Sequence, residues 1–247
     1  MKKVLASIGV GNATVDTVLA STTVEPGTSV DAEIHTEGGS AEQTVESIEL
    51  ELETRYATED GYEEATVDRL RLSDGFTVEP GQRDVRSTTI EIPYATPVTL
   101  GRVDVWVETE LDIPMAVDPE DRDPLEVRPT PRMQAVFDAM EALGFSFRSA
   151  ECEADPYGRY ATGRPFVQEF EFEFDPSGGS FVGRLDEVEL VCHPSAEELT
   201  VFVEVDRRGG LLSELADTDE RKTSLTVSDA DAATVRRRLE DAIERHA

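Results

Sequence analysis

The chain has 247 residues, 53 of them Asp or Glu against 23 Lys or Arg, for a formal net charge of -30 and a pI near 4.3. A surface this negative repels phosphate backbones and anionic headgroups, which excludes nucleic-acid binding and membrane attachment through a basic patch. With 38% hydrophobic residues spread along the chain, disorder is not expected, and the length suits one large domain or two of roughly 120 residues. The N-terminal Met1-Lys2-Lys3 with the apolar run Val4 to Val10 imitates a signal peptide. The run is short and gives way to Asn12 and Asp16 without a cleavage site, so no export is expected. No window approaches the length of a membrane span. Strands follow: Val30, Ala32 and Ile34 alternate with Asp31, Glu33 and His35; Ile48, Leu50 and Leu52 with Glu49, Glu51 and Glu53; Val103, Val105 and Val107 with Asp104, Trp106 and Glu108. Turn signals such as Glu25-Pro26-Gly27, Asp60-Gly61 and Glu79-Pro80-Gly81 separate them at a spacing that fits an antiparallel sandwich and leaves no room for crossover helices. The Pro- and Asp-rich stretch from Met115 to Pro131 holds one short candidate strand, Leu125 to Arg128, and a domain boundary is placed near residue 129.

Beyond Pro131 the period changes. Met133, Val136, Phe137, Met140 and Leu143 share one helical face, with Pro131 suited to the first turn and Gly144 to the stop. Strands resume at Phe145 to Cys152. Phe166, Phe170, Phe172 and Phe174 then point one way and Glu169, Glu171 and Glu173 the other, an aromatic ladder expected to pack on a facing sheet. Val188, Leu190 and Cys192 share a face on the next strand, as do Leu199, Val201, Val203 and Val205 on the one after it. A short helix around Leu211 to Ala216, a strand at Ser224 to Val227 and a closing helix over 229–245, capped by Ser228, complete the pattern. The expectation is mainly β, with two tandem sandwiches at 1–129 and 130–247, the second decorated by helices near 133–143 and 229–245.

Chemistry is weakly signposted. Gly9-Val10-Gly11-Asn12-Ala13-Thr14 begins like a dinucleotide fingerprint, but Thr14 stands where the third glycine belongs and no strong strand precedes it. Asp118, Glu120, Asp121 and Asp123 place four carboxylates within six residues. That is enough to interest calcium, although the glycine and closing glutamate of an EF-hand are missing, and a solvated turn pinned by Arg122 or Arg128 is the favoured reading. His35, His193 and His246 have no zinc-type spacing. Cys192 and His193 are strand neighbours that point to opposite faces and cannot act as a dyad. Cys152 and Cys192 are expected as reduced core thiols. No catalytic residue, cofactor or resident metal is assigned; a cation-dependent activity or hydrolase centred on 118–123 is the alternative. Trp106 lies on the Glu-lined face of its strand and marks a covered surface, a domain contact ahead of a partner contact. The run Val201, Phe202, Val203 would be an unprotected edge if it lay outermost, to be covered by a second copy in a homodimer or by a client protein. Only three of the basic residues are lysines, Lys2, Lys3 and Lys222. Few lysines on an acidic chain resemble the cytosolic proteins of salt-loving organisms, where salt screens carboxylate repulsion.

The whole chain resembles the sporulation-control proteins of the Spo-zero-M type, whose fold is similar to that of arrestins. The likeness is carried by Leu5 to Gly11, Val15 to Leu19, Gly38-Gly39-Ser40 with Glu42-Gln43, and Thr96-Pro97-Val98-Thr99-Leu100-Gly101. More specific still are Leu111-Asp112-Ile113 with Ala116 to Asp123, Met133-Gln134-Ala135-Val136, and Pro165 to Phe172. The resemblance implies two arrestin-like domains, no catalytic residues, and a cytoplasmic regulatory or scaffold role through protein contacts by edge strands and loops. It also recasts the acidic segment and the Gly-x-Gly start as marks of the fold.

Overall fold

The computed structural model describes residues 13–114, 116–160, 163–174, 181, 185–207 and 222–246. The run Met1 to Asn12 and the helix expected over Leu211 to Ala216 lie outside the described residues. The chain forms two compact units. Unit 1 holds 1–55, 64–96 and 104–128; unit 2 holds 56–63, 97–103 and 129–247. The two short excursions, 56–63 and 97–103, have no signal in the sequence.

Unit 1 is built from β1 (Thr14–Leu19), β2 (Thr23–Val24), β3 (Ser29–Glu37), β4 (Gln43–Val45), β5 (Ser47–Thr58), β6 (Gly61–Leu72), β7 (Phe76–Val78), β8 (Arg83–Glu91), β9 (Val105–Asp112) and β10 (Glu120–Val127), with the far end of the β5–β6 hairpin assigned to unit 2. One sheet runs β1-β3-β8; a second runs through β5, β9, β10 and β2 with β6 on the outside of β5; β4 and β7 pair separately. The alternation read from the sequence decides the inward faces: Val30, Ala32 and Ile34 from one sheet and Ile48, Leu50, Leu52, Val105, Val107 and Leu111 from the other are buried. β10 is longer than the sequence suggested, and Glu120 to Asp123 lie on a strand, not in a loop. β2 joins β10 only at Glu126 and Val127, so Pro124 lies where the strand has a single neighbour, a position that tolerates its missing N–H.

Among the described residues of unit 2, β11 (Phe145–Ala154), β12 (Phe166–Phe174), β13 (Leu185–Pro194), β14 (Leu199–Arg207) and β15 (Lys222–Val227) form an antiparallel sheet in that spatial order, which the far end of β5 joins in parallel, Ala57 opposite Glu153. Helix α1 (Pro131–Ala142) starts on Thr130, whose hydroxyl accepts from the Met133 N–H, and places Pro131 in the first turn. Helix α2 (Ala232–Glu244) is capped by Asp231, three residues later than the Ser228 expected, because the Asp231 carboxylate accepts from the Thr234 N–H at 2.9 Å. The middle of the phenylalanine ladder packs on helix α1 and not on a facing sheet: Phe137 lies 4.9 Å from Phe170 and 5.9 Å from Phe172 between ring centres, while Phe166 stacks on Tyr56 at 5.6 Å. The second sandwich predicted from the sequence is thus, in the described residues, a sheet with helical cover on one face. No helix among them is long and apolar enough to cross a membrane.

Candidate functional site

The residues of the acidic segment are spent on unit 1. Asp118 accepts from the Ile113 N–H at 3.0 Å and closes the turn before β10. Asp121 accepts from the Thr17 N–H at 2.7 Å, and the buried Thr17 and Thr109 hydroxyls bond at 2.7 Å beside it, so β1 of one sheet is pinned to β10 and β9 of the other. Strand alternation sends Glu120 to the opposite face from Asp121 and Asp123. Among the described residues no group of three or more His, Cys, Asp or Glu is arranged to hold a metal ion. The calcium alternative for Asp118, Glu120, Asp121 and Asp123 therefore has no geometric support.

Trp106 is only 5% exposed although it lies on the outer face of its sheet. The Arg122 guanidinium sits 4.4 Å from its ring centre, and the indole N–H donates to Glu108 at 3.1 Å. Arg122 in turn bonds Glu108 at 2.6 Å and Glu64 at 3.0 Å. The cover that the sequence demanded for Trp106 comes from within unit 1. Around it stand in-register glutamates, Glu51 opposite Glu108 and Glu49 opposite Glu110. Burial, followed by the neighbouring Glu51, Glu108 and Glu64, pushes the Glu53 carboxyl up to about 7. Burial also raises Glu110, with Asp118 and Glu49 adding to it.

The β14 run is not an edge. It pairs with β13 on one side and β15 on the other, and Val201 and Val203 are buried in the core. Phe202 faces the other way, where its ring meets Tyr160 at 5.4 Å and His193 at 5.1 Å. Tyr160 is brought there by a turn closed on the buried Asp155 carboxylate, which accepts from the Arg159 and Tyr160 N–H groups. Burial lowers His193, against the pull of Asp155. Cys152 is buried, and burial pushes Cys192 up to about 12, which suits packing more than nucleophilic chemistry.

Next to this cluster the outer face of unit 2 repeats the glutamate pattern of unit 1. Glu189 lies directly opposite Glu171 on β12 and Glu204 on β14. Burial first, then Glu169, Glu204, Glu187 and Glu171, pushes Glu189 up to about 7. Arg148 answers the other flank, reaching Glu173 at 3.0 Å and Glu187 at 3.1 Å. The segment 97–103 is laced to the same unit: the Gln168 amide accepts from the Val98 N–H at 2.9 Å and donates to the Val98 carbonyl at 2.7 Å. Gly101 has φ +63, and a side chain there would meet the Ala150 nitrogen at 2.5 Å.

The family model for SpoOM protein matches residues 1–209. The chain belongs to the SpoOM family. It is 36% identical to the sporulation-control protein spo0M of Bacillus subtilis (strain 168), over 100% of this chain and 98% of that protein. The crystal structure of Spo0M from Bacillus subtilis superposes with a TM-score of 0.87 at 34% identity, covering 96% of this chain and 100% of that one. The described motifs that carried the resemblance thus prove to be fold pins: Asp118 and Asp121, Gln168 and Gly101, Gln43 accepting from Ala13, and Gly38, whose missing side chain leaves room for the Glu79 carbonyl.

Proposed function

We propose that this chain is a non-catalytic regulatory or scaffold module that works through protein contacts in the cytoplasm, with a second copy of itself or a client protein as its partner. The observation that carries the reading is β8. Among the described residues this nine-residue strand is paired with β3 on one side only, and Arg83, Val85, Ser87, Thr89 and Glu91 along it are exposed. An open strand of that length, without proline or lysine to blunt it, is a template for strand addition. The sporulation-control name of the relative adds support for a regulatory task, and a content of only two cysteines suits a reducing compartment. The composition, poor in lysine and rich in carboxylates, supports a salt-rich cell interior.

Crosslinking in the native lysate, followed by mass spectrometry, tests the reading. Crosslinks from β8 peptides to this chain or to another protein are expected, and their loss in a Val85→Lys, Ser87→Lys chain, where lysines block the edge. Retention of a small metabolite with no protein partner would contradict it.

A further inference from the structure

The β1-β3-β8 sheet has a second feature besides its edge. Its inner face is buried by Thr17, Ala32, Ile34, Thr36 and Ile90, while Val18, Asp31, Glu33, Ser87 and Thr89 point outward and are exposed. The register places Val18, Glu33 and Ser87 in one row across the three strands. One step along, the Ala20 N–H donates to the Asp31 carbonyl and Asp31 lies opposite Thr89, which forms a second row. Each row reads the same way: an apolar side chain, a carboxylate, a hydroxyl. Together they line a groove of about 580 Å³, within the range of roughly 300–1,000 Å³ that holds ligands.

Three features of the groove say what it would hold. Val18 is 38% exposed and Val85, one row away, is 53% exposed, so apolar surface is left in water here. Asp31 is held in place by the Thr89 hydroxyl at 2.8 Å. Among the described residues no lysine or arginine lines the groove, and Arg83 on the same face is turned to Glu37 at 3.2 Å. A sheet face, unlike a sheet edge, offers no backbone groups, so an occupant must satisfy its own, which selects a helix. Three strands at ~4.8 Å spacing span about the diameter of one helix. Asp31 and Glu33 lie ~6.7 Å apart along their strand, close to the ~6 Å between helix positions i and i+4.

We propose that this face docks an amphipathic basic helix of a partner protein, with Lys or Arg at i and i+4 over Glu33 and Asp31 and small apolar side chains over Val18 and Ala20. The inference rests on the binding-module reading and adds the kind of partner. Because any polycation is drawn to a chain of charge -30, the test must separate this groove from general attraction. The probe is a labelled synthetic helix of about 18 residues, five turns, with lysines at i and i+4 beside an Ala/Leu stripe, followed by fluorescence anisotropy with the full chain. Saturable binding is expected, weakened about tenfold or more by the double variant Asp31→Asn, Glu33→Gln and about threefold by Val18→Ser. The control Asp229→Asn, Glu244→Gln removes two exposed carboxylates of unit 2 and is expected to change affinity by less than about twofold. Circular dichroism verifies that each variant is folded. Equal weakening by both double variants, or binding that never saturates, overturns the groove. A partner crosslinked through β8 whose capture survives Asp31→Asn, Glu33→Gln would also sink it, while leaving the binding-module reading intact.

Discussion

Asp121 and Glu189 are carboxylates of opposite consequence. Asp121 accepts the Thr17 N–H, so truncation strands a backbone donor inside the sandwich. Asp121→Ala is expected to cost about 1–3 kcal/mol in urea unfolding, by the same amount with and without added calcium. A calcium-dependent gain in the parent chain that vanishes in the variant would restore the chelation reading. The Glu189 carboxylate, by contrast, opposes folding. Its folded value of about 7 stands above the ordinary 4.5, so between those values the native state binds the extra proton and stability falls as pH rises through about 7, levelling off above. Glu189→Gln removes the ionisation and is expected to be more stable than the parent at pH 8 by roughly 1–2 kcal/mol, a figure discounted for a group only partly buried, and nearly equal to it near pH 5. Melting both proteins across that range measures it; identical slopes would show that Glu189 takes up no extra proton on folding. The period-two pattern already put these glutamates on one face. That they face one another across strands needed the register, which a single sequence does not encode locally.

Elements that bury one whole face were legible, and those that bury little were not. β3, β5, β9, β12, β13 and β14 alternate cleanly because each carries a full row of core residues. β6 exposes residues on both faces with Val67 alone buried, so no pattern marks it, and β10 hides its strand character behind Pro124 and four carboxylates. The ladder Phe166 to Phe174 identified a buried face but not what covers it, since helix and sheet both accept aromatic rings. The segment 97–103 shows the limit most clearly. Its hold on unit 2 is backbone bonding, Val98 to the Gln168 amide and the Arg102 N–H to the Ala150 carbonyl at 2.9 Å, which no periodicity reveals. Gln168→Leu breaks both Val98 bonds and is expected to destabilise the protein by about 2 kcal/mol. Gly101→Ala, at φ +63 and against the Ala150 backbone, is expected to cost at least about as much through strain and displacement of β11. Hydrogen exchange should report faster exchange at Val98 and Arg102 in both variants; protection unchanged from the parent would mean the lacing contributes little.

At the scale of the whole molecule the charge decides the response to salt, because two opposite effects compete. Salt weakens ion pairs such as Arg71–Glu49, Arg122–Glu64 and Arg148–Glu173, which lowers stability. It also screens the repulsion among like carboxylates, which raises it. The chain has 53 acidic groups and 23 basic ones, so even if every base were paired the excess carboxylates would remain unanswered. Exposed pairs are individually worth about 0–1 kcal/mol, whereas the sheet register holds the backbones of Glu110 and Glu49, and of Glu189 between Glu171 and Glu204, directly opposite one another, and burial together with these neighbours raises both Glu110 and Glu189. Relief of repulsion therefore wins, and the melting temperature is expected to climb from low salt through molar KCl, most steeply below about 0.3 M where the Debye length shrinks past the spacing of neighbouring strands. The Glu189→Gln chain, with less repulsion to relieve, should climb less. A melting temperature that stays flat or falls with KCl would show that the arginine pairs, not the glutamate rows, dominate the electrostatics of this fold.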